Sequence, residues 1–536
     1  MATRTETRDE REERRVTYHE ADVVVVGAGV FGCAVAHALA SQNRSVLLLE
    51  RWMKEPDRIV GELMQPAGMA SLRKLGLGHC AEGIDAAACY GYNVINYGEE
   101  AVIPFPKLDR VGAEHLLPYM LMADPTQQNG KAVGNGKANG NGNGHANGNG
   151  HANGLANGSA NKPNRDRTGR PEGRAFHHGR FVNQLRKSCL AHPNITVVET
   201  EAVATIKGEH GKEILGVEAR TVDPDTGKKK PDFFFGQLTI VADGYASIFR
   251  KQYVGRMPEV RSKFYALELI DCPLPEHGYG HVCCGDQTVV LLYQIGTHET
   301  RALIDVPLNC PDASPAKGGV RGYMANVVLP QLPAAIQPSF RAALEKDDKI
   351  PRSMPNSWLP PSRQDMNPGI VVLGDAMNMR HPLTGGGMTV ALNDVLILQE
   401  LLAPSQIPNL GDSAAVSKAM AKFHWQRKSL TSIINVLAMA LYSLFSAADP
   451  NLAVLRKGCF AYFKKGIVDE PVGMLGGLIQ RPLTLAYHFF TVAFLSVWID
   501  WKERGLWNVP VNLWRGISII WTACVVFLPV MYREAL

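Results

Sequence analysis

The chain has 536 residues, 46% of them apolar and 20% charged, and its formal charge of +5 is spread thinly. That length exceeds what one hydrophobic core accommodates, so two or three domains are expected. No Lys/Arg stripe and no basic patch interleaved with aromatics occurs, which argues against a nucleic-acid partner. The ten cysteines lack zinc-site spacing and read as reduced thiols facing the cytosol.

Residues 1–20 are densely charged with both signs, neither a signal peptide nor a membrane anchor, and read as a tail. Residues 22–27 (DVVVVG) predict a buried parallel strand, since four β-branched residues run straight into glycine. Gly27, Gly29 and Gly32 follow in G-x-G-x-x-G order, enclosing Val30 and Phe31 and opening the helical CAVAHALA. Gly27 permits the tight turn, Gly29 lets the backbone approach a pyrophosphate, and Gly32 lets helix and strand pack closely. The helix N-terminus favours the negative charge. A second strand, SVLLLE, ends in Glu50 about twenty residues on, where a carboxylate meets a ribose hydroxyl.

Residues 127–173, with repeats such as NGNGHANGNGHANG, offer almost no large apolar side chain and predict a disordered tether. His145 and His151 follow the repeat and are not read as a metal site. The sequons at Asn43, Asn157 and Asn194 read as chance. FHHGRFVNQLRKSCL then predicts a helix with Phe181, Leu185 and Leu190 near one face, and Arg186 on it. Two further strand-turn patterns place Asp243-Gly244 and Gly374-Asp375 after apolar runs. The second leads through Gly385-Gly386-Gly387 into a helix.

Beyond Gly411 three apolar runs follow, 430–447, 483–499 and 517–531, each near or below the ~20 residues that cross a bilayer. Five of the eight tryptophans lie in one stretch there, beside Lys502, Arg504 and Arg515, a composition suited to the headgroup boundary. Three readings stay open: helices embedded from one side, a terminal span, or a buried cap on a soluble enzyme.

The two glycine-aspartate patterns resemble the flavin hydroxylase group that includes para-hydroxybenzoate hydroxylase, which implies FAD. No second Rossmann fingerprint occurs, so NADPH has no dedicated domain, and electrons arrive either by transient docking of NADPH or from a separate NADPH-dependent reductase, the partner that the family resemblance implies. RWMKEPDRIVGELMQPAGMASLRKLGL, FHHGRF and MRHPLTGGGMTVAL together resemble the squalene epoxidase family, from about Asp22 to the C-terminus without the tether. Ala67 departs from the family's usual QPGG, as do the insertion and the missing N-terminal hydrophobic segment of animal members. This last departure implies that membrane lipid is met by the C-terminal helices.

The resemblance implies that Val30, Phe31, Glu50, Arg51, Arg58, Leu63, Arg186, Ala202, Asp375 and Met388 contact FAD. Gln65 matches the glutamine near the reactive end of the flavin, and Tyr92 the tyrosine that bonds it and shapes the substrate pocket. Squalene and O2 would be the substrates, epoxidised through a flavin C4a-hydroperoxide to 2,3-epoxysqualene in sterol biosynthesis, at the endoplasmic reticulum membrane. A flavin hydroxylase acting on another apolar or aromatic substrate, and a non-catalytic flavin-binding scaffold, are the alternatives.

The expected architecture is α/β: a discontinuous Rossmann-type FAD domain (21–51, 174–250 and 365–410) and a mixed β-sheet substrate domain (52–126 and 251–364). A helical membrane-associated region (411–536) completes it. Because every flavin motif lies upstream, removal of the last two apolar runs is expected to spare the FAD site.

Overall fold

The computed structural model describes residues 7–120 and 169–535, except 210, 286–287, 347–348, 447–448, 506 and 508. Most of the expected tether lies outside the described residues.

The β-branched run forms the strand Glu20–Val26, paired in parallel with Val46–Glu50 on one side and Lys229–Val241 on the other. Ile195–Lys207 and Ile370–Val372 extend this sheet outward, again in parallel. Ile214–Val222 runs antiparallel to both Ile195–Lys207 and Lys229–Val241, closing a six-stranded sheet. Both faces are covered, as a parallel sheet requires. Val23 and Val25 meet Phe31, Leu39, Phe181 and Leu392 from the flanking helices, while Val24 and Val26 join Leu47, Phe234 and Val372. The carboxyl ends of four strands therefore deliver Gly27, Arg51, Asp243 and Asp375 to one edge of the sheet, where α/β folds bind ligands.

A seven-stranded mixed sheet lies beside it, in the order Ser353–Trp358, Glu259–Ile270, Glu299–Pro307, Val289–Gln294, Gly280–Cys284, Gly91–Asn96, Glu99–Pro104. The period-2 alternation of a strand splits its side chains. Val290, Leu292 and Ile304 pack under the helix Gln337–Glu345, whereas Leu291, Tyr293 and Leu303 face the other way, with Tyr92 and Val282. Leu63–Met64, Gly173–Ala175 and Ala87–Cys89 make a small third sheet.

Within the charged tail, Arg8–Thr17 is a helix whose capping box joins Thr7 and Glu10. Arg15 docks it on the sheet by donating to Thr196 Oγ1 (3.0 Å) and the Pro193 carbonyl (2.8 Å).

Among the described residues, three C-terminal helices are long and apolar enough to cross a membrane, but they differ in burial. Lys428–Phe445 is 67% buried against the rest of the chain, so the first apolar run is a core helix. In their most apolar 18-residue windows, Pro482–Arg504 and Val509–Glu534 are only 22% and 17% buried. They expose Leu483, Phe494, Trp498, Trp514, Ile517 and Trp521. Aromatic and aliphatic area left open on this scale fits association with lipid.

Candidate active site

A single cavity runs from the carboxyl edge of the parallel sheet to the inner face of the mixed sheet. At the first end, Gly29 caps the helix Val30–Ala40, and Gly29, Val30 and Phe31 all line the opening. A Cβ on Gly29 would meet no atom within 4 Å, whereas one on Gly32 would lie 1.8 Å from the Gly27 carbonyl. Gly27 adopts φ +102°, with its own missing Cβ 2.6 Å from the Ala242 carbonyl. The three glycines therefore have separate tasks: Gly27 and Gly32 admit the turn and the helix, and Gly29 leaves space for a ligand.

Behind the turn, Glu50 accepts from the Ala28 amide at 2.7 Å. Arg186 donates to the Ala28 carbonyl at 2.9 Å and lies 3.3 Å from Glu50. These two side chains thus hold the backbone N–H and C=O of one residue, bracing the two peptide units on either side of Ala28. Asp375, in a short turn after Ile370–Val372, lies 3.7 Å from the guanidinium of Arg58, and both reach the cavity. Gly374 takes φ +63° and would put a Cβ 3.2 Å from Phe31, which fixes the turn against the first helix. Gly387, open around its missing Cβ, begins the helix Gly387–Leu401, and Met388 follows it on the cavity wall.

Asp243 accepts from the Ile248 amide at 3.0 Å and is flanked by Ala242 and Gly244 on the wall. Burial pushes its carboxyl up. Of the expected cofactor contacts outside the lining, Glu50, Arg186 and Asp243 support residues that belong to it or border it, whereas Arg51 and Ala202 stand apart. Arg51 is exposed and stacks 4.2 Å over Trp52. Ala202 sits within Ile195–Lys207, paired with Ala219.

Further in, Gln65 is 1% exposed and its amide nitrogen donates to the Thr384 carbonyl at 2.6 Å and to the Tyr92 hydroxyl. Its amide oxygen is buried without a protein partner, and so is Nε of Arg58. Such atoms are costly to bury unless a ligand answers them. Burial, with Cys89 nearby, pushes the Tyr92 phenol far up, so it stays protonated. Leu63, Val282, Leu291, Leu303, Met354 and Leu383 give the remaining wall its apolar character.

Sequence reasoning missed the buried cluster at this wall. Arg301 grips Glu62 bidentately at 2.8 and 2.9 Å, and Tyr293 donates to the same carboxylate at 3.4 Å. Glu62 sits inside the stretch RWMKEPDRIVGELMQPAGMASLRKLGL, and an acid between apolar residues was a usable signal. Its partner lies 239 positions away and left none. His178 was also missed. It donates from Nδ1 to the Gly61 carbonyl at 2.8 Å, and burial lowers its pKa to about 3, so the ring on the cavity wall is neutral.

The donor set fits FAD: an open helix N-terminus for phosphate, carboxylates for hydroxyls, and an unanswered amide oxygen beside an apolar compartment. The squalene epoxidase family model matches residues 235–514, and an NAD(P)-binding Rossmann-like domain matches 25–52. The squalene epoxidase of Gibberella zeae is 56% identical, covering 100% of both chains. That of Saccharomyces cerevisiae is 38% identical, covering 97% of both. Among solved structures, PqsL of Pseudomonas aeruginosa in complex with 2-aminobenzoylacetate superposes with a TM-score of 0.58 at 18% identity, covering 80% of this chain and 97% of that one. That likeness shows a shared fold. Identity along the whole chain and the family match together show that the chain belongs to the squalene epoxidase family.

Proposed function

We propose that this chain is an FAD-dependent squalene monooxygenase. One oxygen atom of O2 enters the terminal double bond of squalene, and the other leaves as water with two electrons derived from NADPH. The observation that carries the reading is one cavity with a polar, phosphate-compatible end at Gly29 and an apolar wall from Leu291 to Leu383.

Bound FAD supplies the activation of oxygen, which no side chain here performs. The chain's own residues bind, orient and exclude water. Val30, Phe31, Glu50, Arg51, Arg58, Leu63, Arg186, Ala202, Asp243, Asp375 and Met388 hold the cofactor, drawn from segments 21–51, 174–250 and 365–410. The segments 52–126 and 251–364 enclose the substrate. Gln65 and Tyr92 stand where the polar and apolar parts meet, and Tyr92 shapes the pocket. An isolated alkene has no proton to remove, so a buried neutral wall suits it better than an acid–base pair.

The absence of a second Rossmann fingerprint in the sequence supports a separate NADPH-dependent reductase as electron donor. The exposed apolar faces of Pro482–Arg504 and Val509–Ala535 support seating in the endoplasmic reticulum membrane, where squalene is dissolved. The test is oxygen consumption by the reduced, flavin-loaded protein. Uptake that depends on squalene and yields its epoxide is expected; equal uptake without squalene, or with a polar phenol alone, overturns the assignment.

A further inference from the structure

The terminal helix ends inside the protein. Val509–Ala535 is largely open along its length, yet Glu534 on its last turn is 2% exposed. Its Oε1 accepts from the Asn435 amide at 2.9 Å. The same Asn435 nitrogen reaches Oδ1 of Asn378 at 3.3 Å, and that oxygen also accepts from Arg380 at 2.9 Å. Arg380 lines the cavity, and Asn378 lies between the Asp375 turn and the Gly385–Gly387 turn. Asn378 is anchored from its other end by donating to the Leu359 carbonyl at 2.7 Å. Arg533, next to Glu534, stacks 4.9 Å over Trp358, the neighbour of Leu359.

Charge makes the contact more than incidental. Arg380 and Arg427 are both buried, and Arg427 is held by Asp394, with contacts down to 2.6 Å. Glu534 makes no direct bond to this pair of guanidiniums, but both lie near enough to favour its charged form, and an unbalanced buried charge is strongly destabilising. Asp394 lies on Gly387–Leu401, the helix that begins at the cavity.

We infer that Glu534 is a positioning residue for the cofactor: through Asn435 and Asn378 it steadies the 374–387 loop, so that this one contact at the end of the terminal helix contributes to retention of FAD. This rests on the FAD reading above. It also reverses the expectation that removing the last two apolar runs spares the flavin site, since the last turn of the chain supports that site from beneath.

The experiment titrates full-length, detergent-solubilised apo-protein with FAD, following flavin fluorescence, alongside the Tm of the apo-protein. Glu534→Gln keeps the shape and removes the charge; its Kd for FAD is expected to rise about tenfold, the scale of weakening one charge-assisted hydrogen bond. Phe527→Ala, which deletes a buried ring stacked 3.8 Å from Phe489 on the same helix pair, serves as the packing control. It should lower Tm and leave Kd unchanged. A wild-type Kd in Glu534→Gln, or an equal Kd rise in Phe527→Ala, overturns the inference. Should Glu534→Gln fail to fold, Asn435→Ala breaks the same link, and an unchanged Kd there overturns it equally. Wild-type protein that binds no FAD defeats the functional reading itself.

Discussion

At the nucleotide end of the cavity, polar groups are spent on the backbone turn and its opening. Glu50 and Arg186 brace the Ala28 backbone, while Arg58 and Asp375 remain a third exposed and reach the opening. Along the mixed sheet the same residue types are consumed by one another. Arg301 and Tyr293 hold Glu62, and Val282, Leu291, Leu303 and Met354 give the wall its apolar character, with His281 and Ser357 as its other polar members. A charged cofactor and a hydrocarbon substrate demand these opposite treatments, because a buried polar group is tolerable only with a partner. One wall reserves its partners for the ligand; the other settles them internally.

The largest expected effect tests the nucleotide end. Gly32→Val drives a side chain into the Gly27 carbonyl, a backbone atom that cannot yield, so no folded flavoprotein is expected, a loss above ~4 kcal/mol. Gly29→Ala meets nothing within 4 Å and has an ordinary φ of −85°, so its Tm should match wild type while flavin absorbance after gel filtration falls. Full flavin content in Gly29→Ala would separate that turn from the cofactor.

The next effect tests the opposite wall. Arg301→Met strands the Glu62 carboxylate in an apolar setting, where removing one partner of a buried pair costs about 3–5 kcal/mol. Denaturant unfolding should show that loss, and adding Glu62→Gln should recover a good part of it. A double variant no more stable than the single one would mean that the pair does more than cancel charge.

These two walls were not equally legible in the sequence. Gly27, Gly29, Gly32 and Glu50 belong to one contiguous βαβ unit, whose spacing is dictated by local backbone geometry. Glu62 and Arg301, or Asn378, Asn435 and Glu534, meet only through tertiary folding, and no periodicity announces such pairs. The apolar runs show the same limit. Lys428–Phe445 has a composition close to that of the two later helices, yet neighbours bury it and leave the others open. Hydropathy measures a segment's own chemistry, not what packs against it.

A smaller effect concerns His178, where the walls meet. Its folded pKa of about 3 lies below the ordinary 6.5. Below 6.5 the unfolded chain takes up a proton that the folded one refuses, so the stability this neutral ring contributes is lost as pH falls toward 3. Between pH 7 and 5 the gap between wild type and His178→Asn should shrink by about 2 kcal/mol, read from denaturant midpoints at each pH. A gap independent of pH would mean that the ring is solvated.

The smallest expected effect falls on the seam between the two treatments. Tyr92 packs its ring edge-on to Phe105, with centroids 5.9 Å apart, and its hydroxyl oxygen accepts from Gln65. Tyr92→Phe keeps the ring, and therefore the shape of the apolar wall. Gln65 is still held by the Thr384 carbonyl, so its amide should stay in place with one bond fewer. A neutral hydrogen bond of this kind contributes about 1 kcal/mol, so turnover with squalene should fall less than tenfold, with flavin content unchanged. Tyr92→Ala removes the ring as well, opening the wall beside Phe105, and should raise KM for squalene far more than Tyr92→Phe does. Equal losses in the two variants would locate the residue's importance in its hydroxyl. The phenol, kept protonated by burial, would then act as a donor to the ligand, and the seam would belong to the polar end of the cavity instead of the apolar one.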